Sequence, residues 1–311
     1  MKLSGIMGQP HAVRCLTGAI TTGRIGQAYL FYGPPGVGKR TAALAFGTAL
    51  NCESPLGPGE PCGICRPCKE MGMGIFRELR VVVPEGESGR GRSFHTQQIS
   101  DAVNWAAKTV YAKRLKVCVM EDVHHLTGEA GNKFLKMLEE PPPRTVWLLL
   151  STEPGGVLPT IRSRCQPVRF TLLPREAVAA IYHGQGKEKA EDAAAIVLGR
   201  VDRDPARVQE AMRDAAEMLA LASRFDLPGL CARAREYGGK DRSKRQDALL
   251  DGLELACRAR LLEDPGTLSL WIGALDAVAR ARWRLKQRFE RTFLDALGAE
   301  LALAMKEPSR A

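Results

Sequence analysis

No apolar run in the 311 residues approaches the ~18 needed to cross a bilayer, so a transmembrane helix is excluded as an expectation. The opening stretch MKLSGIMGQPHAVRCL lacks the apolar h-region and small-residue cleavage site of a signal peptide, which points to a cytoplasmic setting with no membrane contact. There is neither an internal repeat nor a low-complexity segment. What remains is an ordinary globular composition, 45% hydrophobic and 26% charged, long enough for two or three domains. The formal charge of +10 permits contact with nucleic acid without requiring it, because a solvated basic face gives the same total.

The first half alternates strand and helix patterns. AYLFY (28–32), LRVVVPEG (79–86), KVCVMED (116–122) and TVWLLLS (145–151) are short apolar runs that read as buried strands. Helical spacing covers 10–23, 41–50, 97–111 and 128–143, the last stopped by Pro141, Pro142 and Pro143. Residues 87–93, ESGRGRS, read as a loop. Such alternation predicts a parallel sheet covered on both faces, with ligands at the carboxyl ends of its strands. After Phe170 no convincing strand pattern is left, and the chain reads as helices with candidate breaks at Pro228, Gly238-Gly239 and Pro265-Gly266.

Strand one runs straight into GPPGVGKRT (33–41), and a helix follows. In that context a glycine-rich turn is a phosphate cradle, made from backbone N–H groups and the helix N-terminus, with a lysine to meet the phosphates. Gly33, Gly36, Gly38, Lys39 and Thr41 are the candidates, and ATP or ADP the candidate ligand. The residue after the lysine should carry a hydroxyl for Mg²⁺, and here it is Arg40. The acidic pair after the third strand is also unusual, Glu121-Asp122 where a working site has aspartate then glutamate. The shorter Asp122 would fall back from an attacking water by roughly 1.5 Å. Misplacement of about 1 Å can cost about 10²-fold in rate. Both departures speak against Mg²⁺ and against efficient hydrolysis in this site.

Cys52, Cys62, Cys65 and Cys68 follow the pattern C-x9-C-x2-C-x2-C. Thiolates two residues apart in a turn can grip one tetrahedral ion, and four close its shell. The spacing also resembles some iron–sulfur runs, but the long first gap suits structural Zn²⁺ better. A closed four-sulfur site has no open position and is given no catalysis. The other five cysteines read as small core or surface residues, and His124 and His125 as structural. In TIRSRCQ (160–166), Arg164 lies on an exposed turn, where it could reach a neighbouring subunit's γ-phosphate or sit in a surface ion pair. ARARWRLKQRFER (279–291) is basic and helical, with Trp271, Leu275, Val278, Leu285, Phe289, Leu297 and Leu301 forming an apolar stripe. Arg282, Lys286 and Arg291 then face outward, as an oligomerisation helix or a nucleic-acid patch.

IMGQPHAV, AYLFYGPPGVGK, the four cysteines, KVCVMEDVHHLT, AGNKFLKMLEEPP and LPTIRSRCQPVRF occur in that order over residues 6–170. Together they resemble the AAA+ module of bacterial replicative clamp-loader subunits, and within that family the delta-prime type. The resemblance implies an α/β P-loop module with a parallel sheet (1–170, carrying a zinc module at 52–68). A small helical lid (171–212) and an all-α collar (213–311) would follow. It further implies a five-subunit assembly with gamma/tau and delta subunits that opens a sliding clamp on primer–template DNA. Within it, Arg164 maps onto a trans-acting arginine finger, Thr152 onto the first sensor position, and Arg207 is the nearest match to a second-sensor arginine. Delta-prime subunits act as a stator with a degraded nucleotide site. The departures at Arg40, Glu121 and Asp122 fit that role, with own ATPase activity absent or weak. The alternatives are an active AAA+ ATPase such as a gamma/tau motor, and a direct DNA-binding protein using the basic helix.

Overall fold

Residues whose side chains alternate across a pleated strand face opposite sides, so a strand apolar at every position must be covered twice. That condition is met in the first of two units into which the chain divides. The computed structural model describes all residues except 88–89, 110–113, 127, 187–189, 192–193, 195–196, 198, 203–204, 225, 236, 238–241, 264–267, 287–292 and 306–311. The units are Met1–Ala190 with Gly199–Asp202, and Glu191–Leu198 with Arg203–Ala311.

The first unit begins with α1 (Pro10–Thr22), β1 (Ala28–Tyr32), α2 (Lys39–Asn51), α3 (Arg66–Gly72) and β2 (Leu79–Val82). It continues through β3 (Glu85–Glu87), β4 (Arg90–Ser93), α4 (Thr96–Ala107), β5 (Lys116–Met120) and α5 (Gly128–Glu139). It closes with β6 (Thr145–Ser151), α6 (Pro159–Arg162), β7 (Gln166–Arg169) and α7 (Arg175–Gly184). Five strands form one parallel sheet in the order β2-β5-β6-β1-β7. Counted by chain order among themselves these are 2-3-4-1-5, and the sheet is parallel throughout, as expected above.

The alternation is clean. Tyr29, Phe31, Val117, Val119, Val146, Leu148 and Leu150 pack on one face with Leu16 of α1 and Phe46 of α2. Ala28, Leu30, Cys118, Met120, Trp147 and Leu149 pack on the other with Ile99 of α4 and Phe134 of α5. Burial of apolar surface in these two layers, at about 25 cal/mol per Å², stabilises the unit.

Three local expectations are corrected. The strand expected at 79–86 breaks after Val82, and residues 87–93 are not simply a loop. They supply β4 and the end of β3, an antiparallel ribbon with Glu85 opposite Ser93 and Glu87 opposite Arg90. Backbone pairing holds such a ribbon without an apolar face, so composition hides it. The helix expected over 128–143 ends at Glu139, because residues preceding a proline are pushed out of the helical region.

The second unit is helical among the described residues: α8 (Pro205–Ser223), α9 (Leu227–Arg235), α10 (Arg242–Glu263), α11 (Leu268–Lys286) and α12 (Phe293–Ala304). Met218, Leu249, Leu253, Val278, Leu297 and Leu301 form its core, with Trp271 and Leu275 packed against it. Pro228 does not break α9 but sits in its first turn, where a missing N–H is harmless. The breaks expected at Gly238-Gly239 and Pro265-Gly266 lie outside the described residues, as do Phe289, Arg291 and the side chains of Leu285 and Lys286. The expected division at 212/213 falls inside α8, which is one uninterrupted helix. Arg282 is not turned outward: it pairs with Asp251 at 3.0 Å and Glu254 at 3.1 Å.

Candidate functional site

Every candidate of the phosphate loop lies at the carboxyl edge of the parallel sheet. Gly33 follows β1, Glu121 and Asp122 follow β5, and Thr152 follows β6. Gly33 donates its N–H to the Ser151 carbonyl at 3.2 Å, and Phe170 donates to Tyr32 at 2.8 Å. The loop is thus hung between the two neighbours of β1. Glycine at position 33 is a steric necessity, since a Cβ there would stand 2.2 Å from the Phe170 carbonyl oxygen. Gly36 and Gly38 adopt left-handed conformations at φ 68° and 94°, which L-residues avoid.

Gln9 is a support that the sequence pattern did not single out. Its buried side-chain amide donates to the carbonyls of Val37 at 3.3 Å and Thr171 at 2.7 Å, and its oxygen accepts from the Thr171 N–H at 3.1 Å. One side chain therefore ties the crest of the loop to the chain beyond β7.

Lys39, Arg40, Thr41, Glu121, Asp122 and Thr152 line a common cavity of about 330 Å³. Lys39 is buried and donates to the carbonyls of Gly33 at 2.8 Å and Pro34 at 2.5 Å. Burial lowers its ammonium to about 8, against the opposing pull of Asp122 and Asp202. The glycine loop, its left-handed turns and this lysine fit a phosphate chain.

Mg²⁺ does not fit in the same way. The Arg40 guanidinium stands 2.8 Å from Glu121 as a charge pair whose geometry is not that of an aligned hydrogen bond. Asp122, itself left-handed at φ 52°, accepts a hydrogen bond from Arg92 of the ribbon at 2.9 Å. Both acids that could hold a metal already face a fixed cation, so the donor set needed for Mg²⁺ is engaged from within the chain. Arg92 was hidden in GRGRS, where only the fold reveals that it reaches the acidic pair.

Arg164 follows α6. It donates to Glu139 at 2.7 Å and to the Thr160 carbonyl at 3.1 Å, with its side chain 37% exposed. This is the surface ion pair, the plainer of its two expected settings. Arg207 is the third residue of α8, in the second unit. His124 accepts or donates at Ser151 Oγ over 3.3 Å and lies 4.3 Å from the His125 ring, a packing arrangement.

The four cysteines converge. Cys52 ends α2, Cys65 caps the start of α3 and Cys68 lies within its first turn. Their sulfurs lie within 4.8 Å of one another, the one such ligand group among the described residues. A tetrahedral site with bonds of ~2.3 Å has sulfur–sulfur edges of about 3.8 Å, so the cluster can hold a metal ion with small adjustment. Amide donation from Cys65 and Ile64 draws the Cys62 thiol down to about 6, while burial pushes Cys68 up to about 12. A bound cation would bring all four to thiolate together. Cys118, Cys165 and Cys257 are buried and Cys15 is exposed, as expected for packing residues.

No helix among the described residues is long and apolar enough to cross a membrane. Residues 8–174 match the family described as DNA polymerase III, delta subunit. The DNA polymerase III subunit gamma/tau of Mycobacterium tuberculosis (strain H37Rv) is 35% identical over 177 residues, 57% of this chain and 30% of that one. The DNA polymerase III subunit delta' of Bacillus subtilis (strain 168) is 34% identical over 170 residues, 55% of this chain and 50% of that one. A DNA polymerase III gamma subunit-related protein of Thermotoga maritima, of known structure, is 18% identical with a TM-score of 0.46, over 94% of this chain and 99% of that one. The match spans between 30% and 50% of the two curated relatives' lengths. With more than half of its residues inside the family's span, and the phosphate loop, acidic pair and four cysteines all within it, the chain belongs to the DNA polymerase III, delta subunit family of clamp-loader proteins.

Proposed function

We propose that this chain is a delta-prime-type stator of a sliding-clamp loader, a subunit that assembles with gamma/tau and delta partners in the cytoplasm. On this reading it helps load the clamp on primer–template DNA and does not drive the cycle by its own hydrolysis. The observation that carries it is the double blockade at the metal position, Arg40 on Glu121 and Arg92 on Asp122. A hydrolytic site needs those carboxylates for the ion; here they are neutralised from within the chain.

The remaining roles follow as parts of the same proposal. Gly33, Gly36, Gly38, Lys39 and Thr41 hold ATP or ADP phosphates, with Thr152 and Arg207 in the sensor positions. Arg164 serves a neighbour's nucleotide, Zn²⁺ closes the four-cysteine cluster, and the lid (171–212) and collar (213–311) order the assembly. The rival reading, an active gamma/tau-like motor, has the 35% identity to gamma/tau in its favour. A direct DNA-binding role for the basic helix is less supported. Arg280, Arg282 and Arg284 each pair with an acid of their own unit, Glu300, Asp251 or Glu254.

Steady-state ATPase measurements on the reconstituted loader, with Lys39→Ala in this chain alone, separate stator from motor. Unchanged turnover is expected; loss of one subunit's full share would sink the stator reading. A second expectation concerns pH. Protonated Lys39 is the form that attracts phosphate, and burial brings its pKa to about 8, with Asp122 and Asp202 pulling it up and Arg200 down. ADP affinity measured by calorimetry should therefore weaken as pH rises through about 8, and a flat profile would take Lys39 out of the site.

A further inference from the structure

Residues 199–202 lie against the loop although they are far from it in sequence. Gly199 accepts from the Leu173 N–H at 3.0 Å, and Val201 donates to the Gly36 carbonyl at 3.0 Å, so the segment is pinned at both ends. The pinning sets Asp202 directly on Gly36: a Cβ added to that glycine would stand 1.9 Å from the Asp202 Oδ1. Arg200 braces the carboxylate with a fork, Nε at 3.2 Å and Nη2 at 3.0 Å.

A phosphate-binding loop works by presenting positive potential to an anion. Placing a carboxylate on its central glycine opposes that function: Arg200 offsets the carboxylate's charge at a distance, but it is Oδ1, not the guanidinium, that lies against Gly36. Asp202 is also near enough to Lys39 to act on its charge, with Arg200 acting in the opposite sense. Like charges at this range repel by an amount that grows with the ligand's charge, and solvent reduces it because the Asp202 side chain is 40% exposed. In an ordinary site Mg²⁺ would shield the terminal phosphates, but Arg40 and Arg92 already engage the carboxylates that would hold it.

We propose that Asp202 is a specificity-determining residue of the loop, a resident anion that discriminates against a nucleoside triphosphate relative to the diphosphate. The inference rests on reading residues 33–41 as a phosphate-binding loop. It adds that the loop's selectivity is set by a residue distant from it in sequence. Gly36 is the counterpart: any side chain there would collide with the carboxylate.

The test is calorimetric titration of the full chain with ATP and with ADP, each in Mg²⁺ and in EDTA. The variants are wild type, Asp202→Asn, Asp202→Glu, Lys39→Ala and the double variant Lys39→Ala with Asp202→Asn. Asp202→Asn preserves shape and removes the carboxylate's charge. It is expected to raise ATP affinity by on the order of 10-fold and ADP affinity by less, without shifting the ligand-free melting temperature. Asp202→Glu should retain the wild-type ratio, and the double variant should lose the gain. Because Asp202→Asn also unpairs Arg200, the same titration of Arg200→Gln with Asp202→Asn must keep the gain. Its loss there would assign the effect to the freed guanidinium and overturn the proposal. If Asp202→Asn leaves the ATP-to-ADP ratio unchanged while Lys39→Ala abolishes binding, the phosphate-loop reading stands and the role of Asp202 falls. Nucleotide bound equally well by Lys39→Ala would overturn the loop reading itself. Failure of Asp202→Asn to bind any nucleotide would show that the carboxylate is not the barrier, and would overturn the proposal.

Discussion

Replacing Arg164 with alanine should leave the chain folded and able to assemble, yet slow hydrolysis at the neighbouring subunit's site by on the order of 10³-fold, the scale typical of an arginine finger. Folding should be spared because the groups it leaves behind stay solvated. Glu139 is 52% exposed, and an exposed pair of this kind contributes little to stability. The catalytic loss should be large because a guanidinium offers planar, paired donors that water cannot replace at a developing phosphoryl charge. Lysine is the informative second variant, since it keeps the charge and loses the fork. Single-turnover ATP hydrolysis in the reconstituted loader reads the effect, with thermal melting as the control. Clamp loading at the wild-type rate would remove Arg164 from the mechanism.

Loss of the metal is expected to have the larger structural effect. Protein purified without added metal should carry about one zinc per chain by elemental analysis. Cys65→Ser should lose it, because a serine hydroxyl does not form the anionic ligand a thiolate provides. Binding free energies of structural zinc reach about 10 kcal/mol or more in small peptides, where they are also folding free energies. Here the damage should centre on residues 52–76 and spread inward. Cys68 is buried beside Met71, and Met71 and Phe76 belong to the α1–α2 face of the core. Hydrogen exchange should therefore rise first in α3, with the opposite face of the sheet protected. A metal-free chain with unchanged exchange would overturn the zinc assignment.

The parts legible in the sequence were those whose signal is local. Four of the sheet's five strands announced themselves as short apolar runs, the glycine loop as a fixed spacing, and the cysteine cluster as C-x9-C-x2-C-x2-C. The fifth, β7, QPVR, carries one buried apolar side chain and gave no such signal. The parts that escaped depend on contacts between distant segments. Nothing near Arg92 says that it will reach Asp122, and nothing near Asp202 says that it will rest on Gly36. Nothing in the sequence around Lys116 says that its ammonium will cap the end of α4, yet it is buried there on the carbonyls of Trp105, Ala106 and Lys108. Gln9 likewise owes its importance to carbonyls elsewhere in the chain. Arg282 was placed outward by helical spacing, but Asp251 on another helix draws it in. Periodicity reports which face is apolar; it does not report which charges will find each other.

The position of β1 between β6 and β7 has a consequence for the order in which the protein can be built. As the ribosome releases the chain, β1 and its glycine loop emerge early, while both strands that flank it emerge late. Ala28 pairs with Trp147, and Tyr32 with Arg169, so neither edge of β1 can be satisfied until most of the first unit has been made. Such non-local pairing must bear its loop-closure entropy before its contacts form, which slows folding and leaves an apolar strand uncovered in the interval. The strand that carries the glycine loop is thus among the last to be enclosed during synthesis.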